Sequence, residues 1–302
     1  MIAQLGSVQF GWIYLSILLS VFSHILRAYR WQILLQPLGY HVTLNRAFWA
    51  VMVGYMANLA FPRMGEITKC SVLKKTDDVK ISRSMGTVVT ERLFDVILLG
   101  LSLLLTLGVE FKRLSQFFLD LADEKVPSEL NLSFSSPIFL GAIAFIALLL
   151  TIFLLLRERI TQSTIYHRLV EVLLNFREGL LSIRKIKNIT GFVVSTFSIW
   201  FLYYLMAYVV VFSIPQTADL DWAAGLAILV VGGIGMSAPV QGGIGTYHFL
   251  VAALLILYGI ERSDGVFFAT LIHTSQTLMV LFLGVIGLIL ASIFQRVSHD
   301  ES

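Results

Sequence analysis

Cysteine is almost missing. The 302-residue chain has one, Cys70, so no disulfide can close within it and no cysteine-built metal site exists. Charge is scarce too. Only 14% of residues are Asp, Glu, Lys or Arg, against about 25% in soluble domains. There is no metal-ligand spacing, no Gly-x-Ser-x-Gly elbow and no phosphate-binding loop. The apolar segments leave no room between them for a nucleotide-binding domain. The first apolar run lacks the basic lead and small-residue cleavage site of a secretory signal. These gaps exclude nucleic-acid binding, a disulfide scaffold, a soluble enzyme, a bound cofactor and ATP-driven transport within the chain.

What is present is apolar surface. Hydrophobic residues make up 57% of the chain, and the mean hydropathy is +0.83. Several runs reach the length of about 20 residues that a bilayer core requires. The fold class expected is all-α: one polytopic helical membrane domain over 1–302. Five segments read as full spans, at 10–26, 85–108, 138–156, 189–212 and 266–294. Three more, at 42–61, 222–236 and 246–260, are apolar but short or irregular.

Lys and Arg mark cytoplasmic loops. Arg27, Arg30 and Arg46 follow the first span with no acid among them. The segment 63–83 holds six basic residues against Glu66, Asp77 and Asp78, and 157–187 holds seven against three acids. These read as cytoplasmic. The loop over 110–129 carries five acids and three bases, and short acidic loops surround Asp219 and Asp264. These read as external. The segment 42–61 therefore lies between two cytoplasmic stretches, and 222–260 lies between two external ones. Each is expected to dip into the membrane and return; two thin spans are the alternative for 222–260. Their turns are alike. One reads Ala60-Phe61-Pro62-Arg63-Met64-Gly65-Glu66, the other Ser237-Ala238-Pro239-Val240-Gln241-Gly242-Gly243. Proline stops a helix and glycine permits the turn. Two such turns entered from opposite faces suggest an inverted repeat of broken helices, as in many transporters.

Ionisable residues inside apolar helices are costly and usually face a cavity or a partner. Glu91, Arg92 and Asp95 are such a group: Glu91 and Asp95 share a face, and Arg92 reaches Asp95. They fit a head-group or ion site, or an ion-pair cluster pinning the helix to Arg63 or Glu66. Arg63 offers donors for a phosphate and Glu66 an acceptor for a proton or amine; a surface pair between them is the alternative. Asn58 fits either the broken backbone or a ligand. Gln241, Gly242, Gly243 and Gly245 place backbone amides beside a helix start, fitting an anion nest or simple close packing. His248 there reads first as a packed residue. His273 and Gln276 form a polar stripe that lines a cavity or bonds between helices. Arg27 and Arg30, with Tyr29 and Trp31, read first as an interfacial anchor and second as an anionic-lipid site. The segment 166–187 is amphipathic and fits the bilayer surface.

Three motifs in order resemble one family. They are the run from Gly54 through Pro62 to Glu66, the run Gly86-Thr87-Val88-Val89-Thr90-Glu91-Arg92-Leu93-Phe94-Asp95, and Pro239-Val240-Gln241-Gly242-Gly243-Ile244-Gly245. With Arg27-x-x-Arg30-Trp31, they are similar to the membrane region of lysylphosphatidylglycerol synthases, a flippase-like family. The resemblance covers nearly the whole chain. It implies translocation of a phospholipid or lipid-linked molecule across the plasma membrane (the bacterial inner membrane). It implies functional weight at Asn58, Pro62, Arg63, Gly65, Glu66, Glu91, Arg92, Asp95, Pro239, Gly242 and Gly243. Lipid aminoacylation is not expected, because the soluble synthase domain has no counterpart in these residues. Family members carry a further span ahead of the Arg-x-x-Arg-Trp motif; here the charge pattern puts the N-terminus outside. The partners expected are membrane lipids, with a homo-oligomer or an envelope-synthesis protein as further options. A membrane enzyme with Glu66 or Glu91 as general base, or an accessory subunit of an envelope synthase, is the alternative reading.

Overall fold

The computed structural model describes residues 3–125 and 164–300. The span expected over 138–156 lies outside the described residues. Among those described there are nine α-helices and no strand.

Helix α1 runs over Phe10–Leu35. No proline interrupts it until Pro37, and left-handed Gly39 (φ 86°) then reverses the chain. It therefore continues well past residue 26, its expected end. Helix α2, Leu44–Ala60, is capped by Thr43, whose hydroxyl accepts the Arg46 amide. Pro62 prevents its continuation. Helix α3 follows over Gly65–Asp77. Helix α4 spans Ile81–Lys125 with a break at Glu110 (φ −118°, ψ 34°). The acidic stretch expected as a loop after residue 108 is thus helical as far as Lys125. Helix α5 is Thr164–Leu181 and α6 is Ile189–Val209. Helix α7, Trp222–Ser237, starts at Asp221, whose carboxylate accepts the Ala224 amide at 3.0 Å. Helices α8, Thr246–Ile256, and α9, Arg262–Asp300, complete the set.

Four segments are long and apolar enough to cross a bilayer: Phe10–Leu38, Ile81–Phe111, Ile189–Ser213 and Arg262–Phe294. They coincide with four of the five expected full spans. Helices α2, α3, α7 and α8 hold 17, 13, 16 and 11 residues. At about 1.5 Å per residue none matches a hydrocarbon core of about 30 Å. They pair instead as two hairpins, α2–α3 and α7–α8. Small residues let the arms approach. A Cβ on Gly54 would lie 2.8 Å from the Gly65 carbonyl oxygen, and one on Gly232 would lie 2.8 Å from the Tyr247 ring.

Each hairpin sits in its own apolar core. The first packs around Trp31, Met52, Cys70 and Leu73. The second packs around Val231, Leu254, Leu255 and Phe268. The two turns meet: the Gln241 amide donates to the Ala60 carbonyl at 3.3 Å, and Leu59 covers Gly242. Helix α5 lies across the start of α4. Arg83 donates to Asn175 and pairs with Glu178 at 2.8 Å. Val172, Leu173 and Leu174 of α5 point away from the bundle, each at least half exposed. That is the face a membrane interface would accept.

Candidate functional site

The ionisable residues of α4 are the centre of a buried charge cluster. Asp95 accepts two arginines from α1: Arg27 at 2.7 Å and Arg30 at 2.8 Å. Arg27 also donates to the Tyr203 hydroxyl of α6 at 2.7 Å. One turn away, Glu91 accepts Lys69 of α3 at 2.7 Å and faces the Arg30 Nε at 3.7 Å. The Lys69 ammonium stands 4.3 Å from the Trp31 ring centre, a cation–π contact. Arg30 is completely buried and Glu91 nearly so. At the edge Arg92 pairs with Glu66 at 2.8 Å and approaches Asp95 at 3.5 Å. Four helices thus converge on two carboxylates.

The arrangement corrects two expectations. Arg27, Arg30 and Trp31 are not an interfacial anchor. Helix α1 carries them through the bundle, where Trp31 is fully buried and donates to Thr87 at 2.9 Å. A surface pair between Arg63 and Glu66 does not form either. Arg63 takes a left-handed backbone (φ 63°) in the exposed turn, while Glu66 turns inward to Arg92. The expected contact of Arg92 with Asp95 is present. Pro62 and Pro239 are exposed turn residues.

Asn58 joins the two arms of the first hairpin. Its side-chain oxygen accepts the Gly65 amide at 2.7 Å, so it supports the broken backbone. Removing this acceptor by Asn58→Ala is expected to cost about 1 kcal/mol. The thermal midpoint of the purified protein in detergent checks it.

At the second turn the backbone is largely self-satisfied. The amides of Gly243, Ile244 and Gly245 go to Val240, Gln241 and the His248 ring. These partners leave little of an anion nest. The Gly242 carbonyl accepts the His273 imidazole at 2.7 Å. Gln276 donates to Ser16 of α1 at 3.1 Å. His273 and Gln276 therefore bond between elements.

A narrow cleft opens beside the cluster, lined among others by Tyr55, Asn58, Gly65, Glu66, Lys69 and Arg92. It has room for about one water molecule. Three of its important neighbours carried no readable signal as site residues. Lys69 sits in a lysine-rich stretch that reads as solvated, though its i, i+3 relation to Glu66 places both on one face. Tyr55 and Tyr203 look like ordinary membrane aromatics.

Four cations (Arg27, Arg30, Lys69 and Arg92) face three carboxylates (Glu66, Glu91 and Asp95). The cluster holds one positive charge in excess. Two side-chain nitrogens of Arg30 and one oxygen of Glu66 are buried without a hydrogen bond.

These features define a multi-pass helical membrane protein with a charge cluster against a broken helical hairpin. The chain belongs to the family of the lysylphosphatidylglycerol synthase TM region, whose match covers residues 1–284. It is also similar to a UPF0104 membrane protein of Methanocaldococcus jannaschii, with 24% identity over 220 residues, 72% of this chain and 85% of that one. No solved structure matches it.

Proposed function

We propose that the chain moves a phosphate-bearing lipid between the leaflets of the plasma membrane, using the cleft of the first hairpin as its head-group site. The excess positive charge of the buried cluster carries this reading. A net cation held away from water attracts an anion, and a lipid phosphate supplies one in the same environment. Arg92 and Lys69 would face the phosphate. The unpartnered Glu66 oxygen would receive a cationic part of the head group or a proton.

The cleft as it stands admits about one water, not a head group. Entry requires α3 to move from α4. The Arg92–Glu66 pair is the contact that can yield. Its side chains are 42% and 22% exposed, whereas those around Glu91 are nearly dry. Exposed ion pairs are worth little, about 1 kcal/mol or less; buried ones are costly to break.

The test uses the full chain in liposomes containing a fluorescent phosphatidylglycerol, with bleaching of the outer leaflet by a membrane-impermeant reductant. Wild type is expected to bleach lipid beyond the outer half. Arg92→Gln is expected to lower the rate about tenfold, equivalent to about 1.4 kcal/mol, with little change in thermal midpoint. Wild-type rates equal to those of empty liposomes, or an unchanged rate in Arg92→Gln, would refute the reading.

A further inference from the structure

The second hairpin holds a pair of imidazoles that the charge cluster does not use. His248 lies on the first turn of α8 and His273 on α9, with ring centres 4.8 Å apart at 79°. His273 is 8% exposed and His248 is partly exposed. Both rings grip the backbone of the broken turn. A carbonyl can only accept, so His273 Nε2 carries the proton in its 2.7 Å bond to Gly242. That fixes the neutral tautomer and leaves Nδ1 with a lone pair. His248 is the reverse: its Nδ1 accepts the Gly245 amide at 3.3 Å, so its proton is on Nε2.

The two histidines therefore differ in what a further proton does. On His248 it would set N–H against N–H and break the bond to Gly245. On His273 it would enter at Nδ1, where no bond is lost. The Gly242 contact would become charge-assisted and stronger. Tyr247 stacks on the His273 ring at 5.4 Å and 27°, offering a π face to the cation.

Other titratable groups are few around the pair. Helix α7, packed against α8, has none in its sequence. On α1, Tyr14 is 68% exposed, His24 bonds Ser20, and Arg27 and Arg30 are held by Asp95. On α3, which also packs on α9, Glu66 and Lys69 are held by Arg92 and Glu91. On α2 the group nearest the turn is Tyr55, which faces His24 and Arg27. On α9, Arg262 and Asp264 lie more than two turns before His273. Neither imidazole is in an ion pair among the described residues, and a second proton would meet the charge of the first.

The geometry points to a one-proton site at His273, in which the bound proton tightens the second hairpin's turn against the first. The mechanical link is short. His273 holds the Gly242 carbonyl, Gly242 packs on Leu59, and adjacent Gln241 donates to Ala60. This inference concerns the hairpin contact itself and stands apart from the lipid proposal.

The test uses the full chain in lipid nanodiscs with 15N-labelled histidine, of which the sequence has six. On acidification, one ring at the hairpin is expected to gain a proton at Nδ1. Its signal should vanish in His273→Gln and persist in His248→Gln. A second readout is thiol labelling of Val240→Cys in a Cys70→Ser background, relative to Asp219→Cys on an exposed loop. The ratio is expected to fall about threefold on acidification, as local opening is suppressed, and to stay flat in His273→Gln. If His273→Gln fails to fold, the wild-type and His248→Gln spectra still decide. A hairpin signal lost in His248→Gln but kept in His273→Gln overturns the assignment. So does a pair that does not titrate, or a labelling ratio independent of pH in the wild type.

Discussion

Asp95→Asn is expected to destabilise the protein by about 3–5 kcal/mol, the scale for removing one partner from a buried ion pair. The reason is the number of cations it serves. Asp95 accepts Arg27 through one oxygen and Arg30 through the other. Arg30 is fully buried, and Glu91, its remaining neighbour of opposite charge, is 3.7 Å away and already bonded to Lys69. Neutralising Asp95 raises the excess of positive charge in the cluster from one to two. Arg30→Met has the opposite effect on the balance, since three cations would then face three carboxylates. It is expected to cost less than Asp95→Asn, and the double variant is expected to recover part of the loss. The measurement is unfolding of the purified protein in detergent micelles or bicelles. An order in which Arg30→Met is the worse of the two would show that packing, not charge balance, governs the cluster.

The same balance explains how much of the site could be read beforehand. Glu91, Arg92 and Asp95 were visible because they interrupt an apolar helix at 3.6-residue spacing, and α4 does place them together. Their partners were not visible. Arg27 and Arg30 follow an apolar run, where arginine ordinarily marks a membrane boundary. No helix stop precedes Pro37, so α1 continues through both arginines, but nothing in that run shows that they face the bundle. Lys69 is chemically like Lys74 and Lys75, yet it is buried while Lys74 is about half exposed. Sequence period tells which residues share a face, not which helix that face meets. Four long spans were legible from length, and the helix breaks from Pro62 and Pro239. That 65–77 forms α3 and packs back on α2 was not legible, because its lysines read as a cytoplasmic stretch. Nor was the contact between Gln241 and Ala60, because it joins residues 181 positions apart.

Gly65→Ala is the second large effect, and it tests the hairpin rather than the charges. Gly65 begins α3 at the point where its backbone meets α2. A Cβ there would overlap the Gly54 carbonyl oxygen and the Asn58 side-chain amide. The carbonyl belongs to a helix and cannot rotate away. The Asn58 side chain cannot leave without releasing the Gly65 amide it holds. One methyl group therefore separates the two arms, and overpacking of this kind costs about 1–3 kcal/mol. Loss of the Asn58 bond adds about 1 kcal/mol. The displacement has a direction. Moving α3 off α2 carries Lys69 relative to Glu91 and Glu66 relative to Arg92, so the charge cluster is disturbed from a position within one turn of both Glu66 and Lys69. Gly100→Ala is the control, because nothing lies within 4 Å of a Cβ at that position and alanine favours a helix over glycine. The expected result is a lowered thermal midpoint for Gly65→Ala and an unchanged or raised one for Gly100→Ala. Equal midpoints would mean that the arms of the first hairpin are not in close contact in the membrane-embedded protein.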